Sequence, residues 1–93
     1  MKKNQVVWPE PIIEKLRSFR GEHFTSEETY NFIAKLVMEV EDLLLNPVIG
    51  LTYVEEFGEF QGFSRAIIRK FRIYYQTIEN QLVVIAILFP GER

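Results

Sequence analysis

Two periodicities run along this chain, and one gives way to the other past its middle. Between Ile12 and Leu44 apolar residues return every three or four positions; between Phe71 and Thr77 they return every second one. The first is the repeat of a helix with one buried side, the second that of a strand with one buried side. Gln5 to Trp8 reads as a short opening strand. Pro9 and Pro11 then stand where proline suits the first turn of a helix. Ile12, Ile13, Leu16 and Phe19 follow at helical spacing, and Gly21 is placed to cap the C-terminus, so the pattern predicts a first helix over 9–20.

Thr25-Ser26-Glu27-Glu28 has the form of a capping box, and its glutamates suit the positive end of the helix dipole. From there Ile33, Leu36, Val37, Val40, Leu43 and Leu44 keep one side apolar until Asn46-Pro47 ends the helix. The two helices make an α-hairpin. Ile33, Val37, Val40 and Leu44 are expected to bury against Phe71, Ile73 and Tyr75.

Residues 48–61 have no clear period. They hold Gly50 and Gly58, the acids Glu55, Glu56 and Glu59, and the aromatics Tyr53, Phe57 and Phe60. This reads as a connecting loop pinned by its aromatics, with an active-site or partner-binding loop as the alternative. A strand is expected over 63–69, turning at Arg69-Lys70 into a second strand that alternates Phe71, Ile73 and Tyr75 with Arg72, Tyr74 and Gln76. Glu79-Asn80 offers the next turn. Leu82 to Leu88 is apolar on both sides and is therefore expected inside the sheet. The order β-α-α-β-β-β implies an α+β fold: an N-terminal strand, an α-hairpin, then a three-stranded antiparallel meander, in one sheet with the helices packed on one face.

Ninety-three residues, 47% of them apolar, make one domain, 1–93, with a core small enough that a permanent partner would be a natural supplement. The chain has no cysteine, which excludes disulfides and thiolate metal sites. Met1-Lys2-Lys3-Asn4 does not begin a signal peptide, and no apolar run approaches the ~20 residues of a membrane helix. A cytoplasmic protein with no membrane partner is expected. The net charge of −2 speaks against a generic nucleic-acid binder. Local charge is more telling: Arg65, Arg69, Lys70 and Arg72 lie close together without an acid, while Glu22 to Asp42 holds six acids and only Lys35 as a base.

Four stretches, in this order, resemble the RelE/ParE superfamily of toxins from bacterial type II toxin–antitoxin systems. They are the opening strand leading into an α-hairpin; Leu44-Leu45-Asn46-Pro47-Val48-Ile49-Gly50, similar to the family's helix end; Phe71-Arg72-Ile73-Tyr74-Tyr75, similar to its aromatic-Arg-aliphatic-x-Tyr strand; and the apolar last strand, Leu82 to Leu88. The resemblance covers nearly the whole chain. It implies a growth-arresting toxin held in check by a cognate antitoxin. RelE-like members cut mRNA in the ribosome; ParE-like members inhibit DNA gyrase and have no known catalytic set.

The resemblance places Arg72 where RelE-like nucleases keep an arginine that stabilises the transition-state phosphate, a task suited to a permanently charged fork. Alternation puts it opposite Phe71, Ile73 and Tyr75, on the open side. Arg65, Arg69 and Lys70 extend the basic stretch as contacts for phosphate or a partner, against the plainer reading of a charged sheet edge. Tyr74 shares the side of Arg72 and is a contact candidate; Trp8 and Tyr75 suit the core. RNA cleavage also needs an acid and a base. Relatives draw them from the C-terminal tail or the loop before the sheet, here leaving Arg93 and Glu55 or Glu56. His23, the only histidine, is a loop or capping residue. No cofactor and no metal is expected. With an incomplete catalytic set and an acidic total charge, the balance tilts from enzyme to binder: a gyrase inhibitor first, a ribosome-dependent mRNA endonuclease as the alternative.

Overall fold

The computed structural model describes residues 5–46 and 52–92. Strand β1 (Gln5–Val7) leads into helix α1 (Glu10–Arg17), then helix α2 (Ser26–Leu45). Strands β2 (Thr52–Val54), β3 (Ser64–Ile68), β4 (Phe71–Ile78) and β5 (Gln81–Leu88) follow. The protein is α+β: the described residues form two helices and a five-stranded mixed sheet in the order β1-β5-β4-β3-β2. Its last three strands pair antiparallel in sequence order, whereas β1 runs parallel to β5, with Val6 opposite Leu82.

Local chemistry accounts for most boundaries. Helix α2 starts on a complete capping box: Thr25 Oγ1 accepts from Glu28 N at 3.1 Å, and Thr25 N donates to Glu28 Oε1 at 2.9 Å. Helix α1 stops earlier than its apolar spacing suggests. The Ser18 hydroxyl donates to the Lys15 carbonyl, and Arg20 folds back on the carbonyls of Arg17 and Phe19. Together with the Ser18 and Phe19 amides, which donate to the Glu14, Lys15 and Leu16 carbonyls, these bonds satisfy the acceptors of the last turn. Gly21 is not the cap. It lies under the Phe24 ring, whose nearest atom would be 2.4 Å from a Cβ at that position, so the close approach is what requires glycine.

The core lies between the helices and one side of the sheet. Leu36 and Val40 of α2 and Ile12 and Leu16 of α1 meet Phe71, Ile73 and Tyr75 of β4 and Leu82, Val84 and Ile87 of β5. Phe19, Phe32, Phe71 and Phe89 form an aromatic cluster at its edge, with ring centroids between 5.2 and 6.0 Å apart. Trp8 packs against this core and donates its indole N–H to Glu41 Oε2 at 2.8 Å, tying the start of the chain to α2. A bulge lets Tyr74 pair with Ala86 while Tyr75 pairs with Val84, leaving Ile85 as the extra residue.

Three expectations are corrected here. Residues 52–54 form the edge strand β2 rather than loop; three residues carry too short a pattern for alternation to be read. Ile33 and Val37 are only half-buried, while Leu36, Val40, Leu43 and Leu44 are the buried stripe of α2. The helix is turned so that Ile33 and Val37 look towards α1. The helices are also not a closely packed hairpin: each packs on strands, α1 on β5 and α2 on β1 and β3, with their own backbones apart. The helix end from Pro47 to Gly50 lies outside the described residues.

Candidate functional site

The side of the sheet away from the helices carries two of the charged candidates, Arg72 and Arg65. Register sets them out: Arg72 lies between Ile67 of β3 and Leu88 of β5, and Arg65 lies between Tyr53 of β2 and Tyr74 of β4. Arg72 therefore stands on the side that alternation assigns to it. One guanidinium nitrogen donates to the Glu92 carbonyl at 3.0 Å. The turn that brings this carbonyl close is held by its own side chain. Glu92 accepts from Phe89 N at 2.8 Å and pairs with Lys15 Nζ at 2.8 Å. Hydrogen bonding from Lys15, then from the Phe89 amide, holds the Glu92 carboxyl below the usual carboxylate range. One short turn thus connects α1 to Arg72.

Arg65 is locked into the β2–β3 hairpin. Its guanidinium meets Glu55 at 3.2 Å, both side chains being 19% exposed, and lies 4.2 Å from the centre of the Tyr53 ring. Its Nε is buried and meets no hydrogen-bond partner among the described residues. The hairpin continues past β2 through paired amides, Glu55 N to Phe63 O and Gly62 N to Glu55 O, both 2.9 Å. Gly58 and Gly62 take the positive φ values of +84° and +90° that its turns need. Phe60 then folds onto the open side and stacks on Tyr74, with centroids 4.1 Å apart and planes 18° from parallel. This contact leaves Tyr74 only 3% exposed.

Arg69 and Lys70 form the two-residue turn from β3 to β4, both with positive φ, +52° and +70°. Such a turn suits the twist of a hairpin but normally employs asparagine or glycine. Arg69 points to the helix side, where Nη2 donates to Glu39 Oε2 at 3.0 Å and Nε to Glu39 Oε1. That bidentate contact pulls the Glu39 carboxyl pKa down and raises that of Arg69. Lys70 is exposed.

The basic stretch of the sequence is therefore not one patch. Arg65 and Arg72 share the open side, Arg69 belongs to a clasp on α2, and Lys70 sits at the turn. Tyr74 shares the side of Arg72, yet its ring is under Phe60. Of the loop acids, Glu55 joins this cluster and Glu56 is exposed beside it; Arg93 lies outside the described residues. Sequence reasoning missed Phe60 as a lid and Glu55 as the partner of Arg65. A signal for the second existed: strands of a hairpin bring flanking residues opposite one another, and Glu55 and Arg65 flank the same loop.

A second feature lies on the helix side. Between α1 and α2 runs a groove of about 630 Å³ lined by Trp8, Ile13, Leu16, Ile33, Val37 and Met38, with Arg17, Arg20 and Tyr30 also in its wall. It exists because the apolar arc of α2 is wider than the sheet covers and the eight-residue α1 stays apart from it. Tyr30 and Met38 are 74% and 70% exposed.

No protein-family model, curated protein or solved structure matches this chain. Among the described residues, no group of three histidine, cysteine or acidic side chains is arranged to hold a metal ion, and no helix is long and apolar enough to cross a membrane.

Proposed function

We propose that this chain is the toxin half of a bacterial toxin–antitoxin pair with a RelE/ParE-like fold, and that it arrests growth in the cytoplasm by binding DNA gyrase. The observation that carries the reading is the division of the molecule into two working sides. An apolar groove between α1 and α2 suits an amphipathic segment of an antitoxin. Among the described residues no strand pairs with the outer edge of β5 beyond Val83, which offers backbone groups to an extended stretch of the same partner. The opposite side, with Arg72 and the β2–β3 hairpin, is left for the target.

Binding fits this second side better than cleavage. Arg65 is paired with Glu55 and Tyr74 is covered by Phe60, so these two candidates on the same side of the sheet as Arg72 are engaged in structure. A chain of net charge −2 would also enter the RNA of a ribosome against repulsion. One observation favours the second reading, a ribosome-dependent mRNA endonuclease. Arg72 stands on the open side, where among the described residues its side chain donates to the Glu92 carbonyl, and a permanently charged fork suits a phosphate.

The experiment is induced expression in a bacterium with parallel pulse labelling of DNA and protein synthesis. Gyrase inhibition predicts a DNA-damage response while translation continues. A prompt fall in protein labelling, with cuts in mRNA that vanish in Arg72→Ala, would make the endonuclease reading correct. Growth unaffected at matched soluble expression would remove the toxin reading altogether.

A further inference from the structure

The α1–α2 groove is apolar inside and charged along its rims. Leu16 is buried in its lining, Ile13, Ile33 and Val37 are half-buried, and Tyr30 and Met38 are exposed at its lip. The wall that α2 contributes, from Ser26 to Met38, is about 18 Å long, which a facing helix matches in about three turns. The apolar lining fixes what one side of such a helix must be. The charges at the rims fix what its ends must be.

Side chains three and four positions apart are neighbours on a helix. Glu27 therefore stands beside Tyr30, and Glu41 and Asp42 stand beside Met38, so acids mark both ends of the α2 wall, about 21 Å apart. From Glu22 to Asp42 six acids face a single base, Lys35. Trp8 holds Glu41 through an indole N–H that carries no charge, so the field of that carboxylate is kept. The arginines in the opposite wall do not offset these acids. Arg17 is shared between Glu14 at 3.1 Å and Glu10 at 3.7 Å, and Arg20 is turned onto the Arg17 and Phe19 carbonyls. We propose that the segment seated in this groove is a cationic amphipathic helix, with Lys or Arg at both ends of its apolar face: one end beside Glu27, the other beside Glu41 and Asp42. The inference rests on the reading of the groove as the antitoxin's seat and gives that segment its chemistry.

The two parts of the contact do different work. Exposed ion pairs add little strength and are screened by salt, so the apolar face supplies the affinity. The rim charges choose among segments that share such a face, because acids at the same ends would meet like charge. The same rim repels an anionic lipid surface, which leaves a protein segment as the occupant.

Selection by the full chain from a displayed library of helical peptides about 18 residues long tests this. The peptides hold apolar residues at every third and fourth position, no tryptophan, and ends drawn equally from Lys, Ser and Glu. Enrichment of Lys over Glu at both ends is the expected outcome. A selected peptide is then titrated with Trp8, the only tryptophan and part of the groove wall, as fluorescent reporter. Tyr30→Ser together with Met38→Ser should weaken it about 10- to 100-fold. Glu27→Lys together with Asp42→Lys should weaken it about 10-fold and, used for selection, should reverse the enrichment from Lys to Glu. All four positions are exposed, so the fold is kept, and circular dichroism checks it. The proposal is overturned if no peptide is enriched, if Glu equals or exceeds Lys at the ends, or if the Tyr30 and Met38 variant binds as well as the parent. The growth experiment separates this from the toxin reading. A chain that arrests growth yet selects Glu ends overturns the cationic helix and leaves the toxin; one that selects Lys ends without affecting growth removes the toxin and leaves the preference of the groove.

Discussion

The two sides of the sheet are closed by different means. Towards the helices, Phe71, Ile73, Val84 and Ile87 are at most 1% exposed beneath Leu36 and Val40. On the other side a single ring, Phe60, covers Tyr74, and the remaining partners are directional: Glu55 for Arg65 and a carbonyl for Arg72. Apolar burial is proportional to area and tolerant of angle, whereas an ion pair or a stacked ring holds only in one geometry. The helix side accordingly carries the stability, and the open side carries the specificity of shape, at a lower cost of rearrangement.

The comparison is sharpest for one ring from each side. Phe71→Ala is expected to cost about 3–5 kcal/mol, a large share of the stability of a domain this small. Phe60→Ala is expected to cost about 1–2 kcal/mol, for one stacked pair and part of its area. Urea unfolding of both variants measures the gap. Equal costs would mean that the hairpin is as integral to the core as β4.

A smaller effect of opposite sign is expected at the β3–β4 turn, which joins the two sides. Lys70 holds a φ of +70°, a region that costs an ordinary L-residue about 1–2 kcal/mol and glycine almost nothing. After glycine's extra chain entropy is subtracted, Lys70→Gly should stabilise by about 0.5–1 kcal/mol. Arg69 is kept in that experiment because Glu39 holds it.

The smallest effect is in the acid dependence of the two clasps. Glu39 and Glu92 both have lowered pKa values in the folded protein, through hydrogen bonds from Arg69 and from Lys15 respectively. Their contribution is complete above the usual carboxylate range and is lost as pH falls through the lowered folded values. Both are at the surface, so the contribution is modest and screened by salt. Glu92→Gln should flatten the acid limb of a stability-versus-pH curve; an unchanged limb would show that the Lys15 pair contributes nothing.

Much of this was legible where a local pattern decides the structure. The capping box at Thr25 and the alternation of β4 are each settled within a few residues, whereas the turn at Arg69-Lys70 is marked only as the polar pair between two apolar runs. What escaped depends on distant partners. Strand β2 exists because β3 is beside it. The side of Ile33 and Val37 depends on how far α1 stands from α2, which a run of apolar residues does not encode. The burial of Tyr74 depends on Phe60, fourteen positions earlier, so a residue that looked available on its strand is covered. The basic stretch divided for the same reason: closeness along the chain puts Arg69 and Arg72 on opposite sides of a sheet.

The bulge at Ile85 has a consequence for how the chain withstands copying errors. Counted from Leu82, the positions of β5 that face the helices change phase at the bulge, from Leu82 and Val84 to Ile87. A run that is apolar throughout has no phase of its own to contradict this; its neighbour β4 supplies it. A residue gained or lost within β5 would therefore still present apolar side chains to the core. The same slip in β4 would turn Arg72 inwards and Phe71 outwards. One strand holds the reading frame of the sheet, and the strand beside it is free to drift.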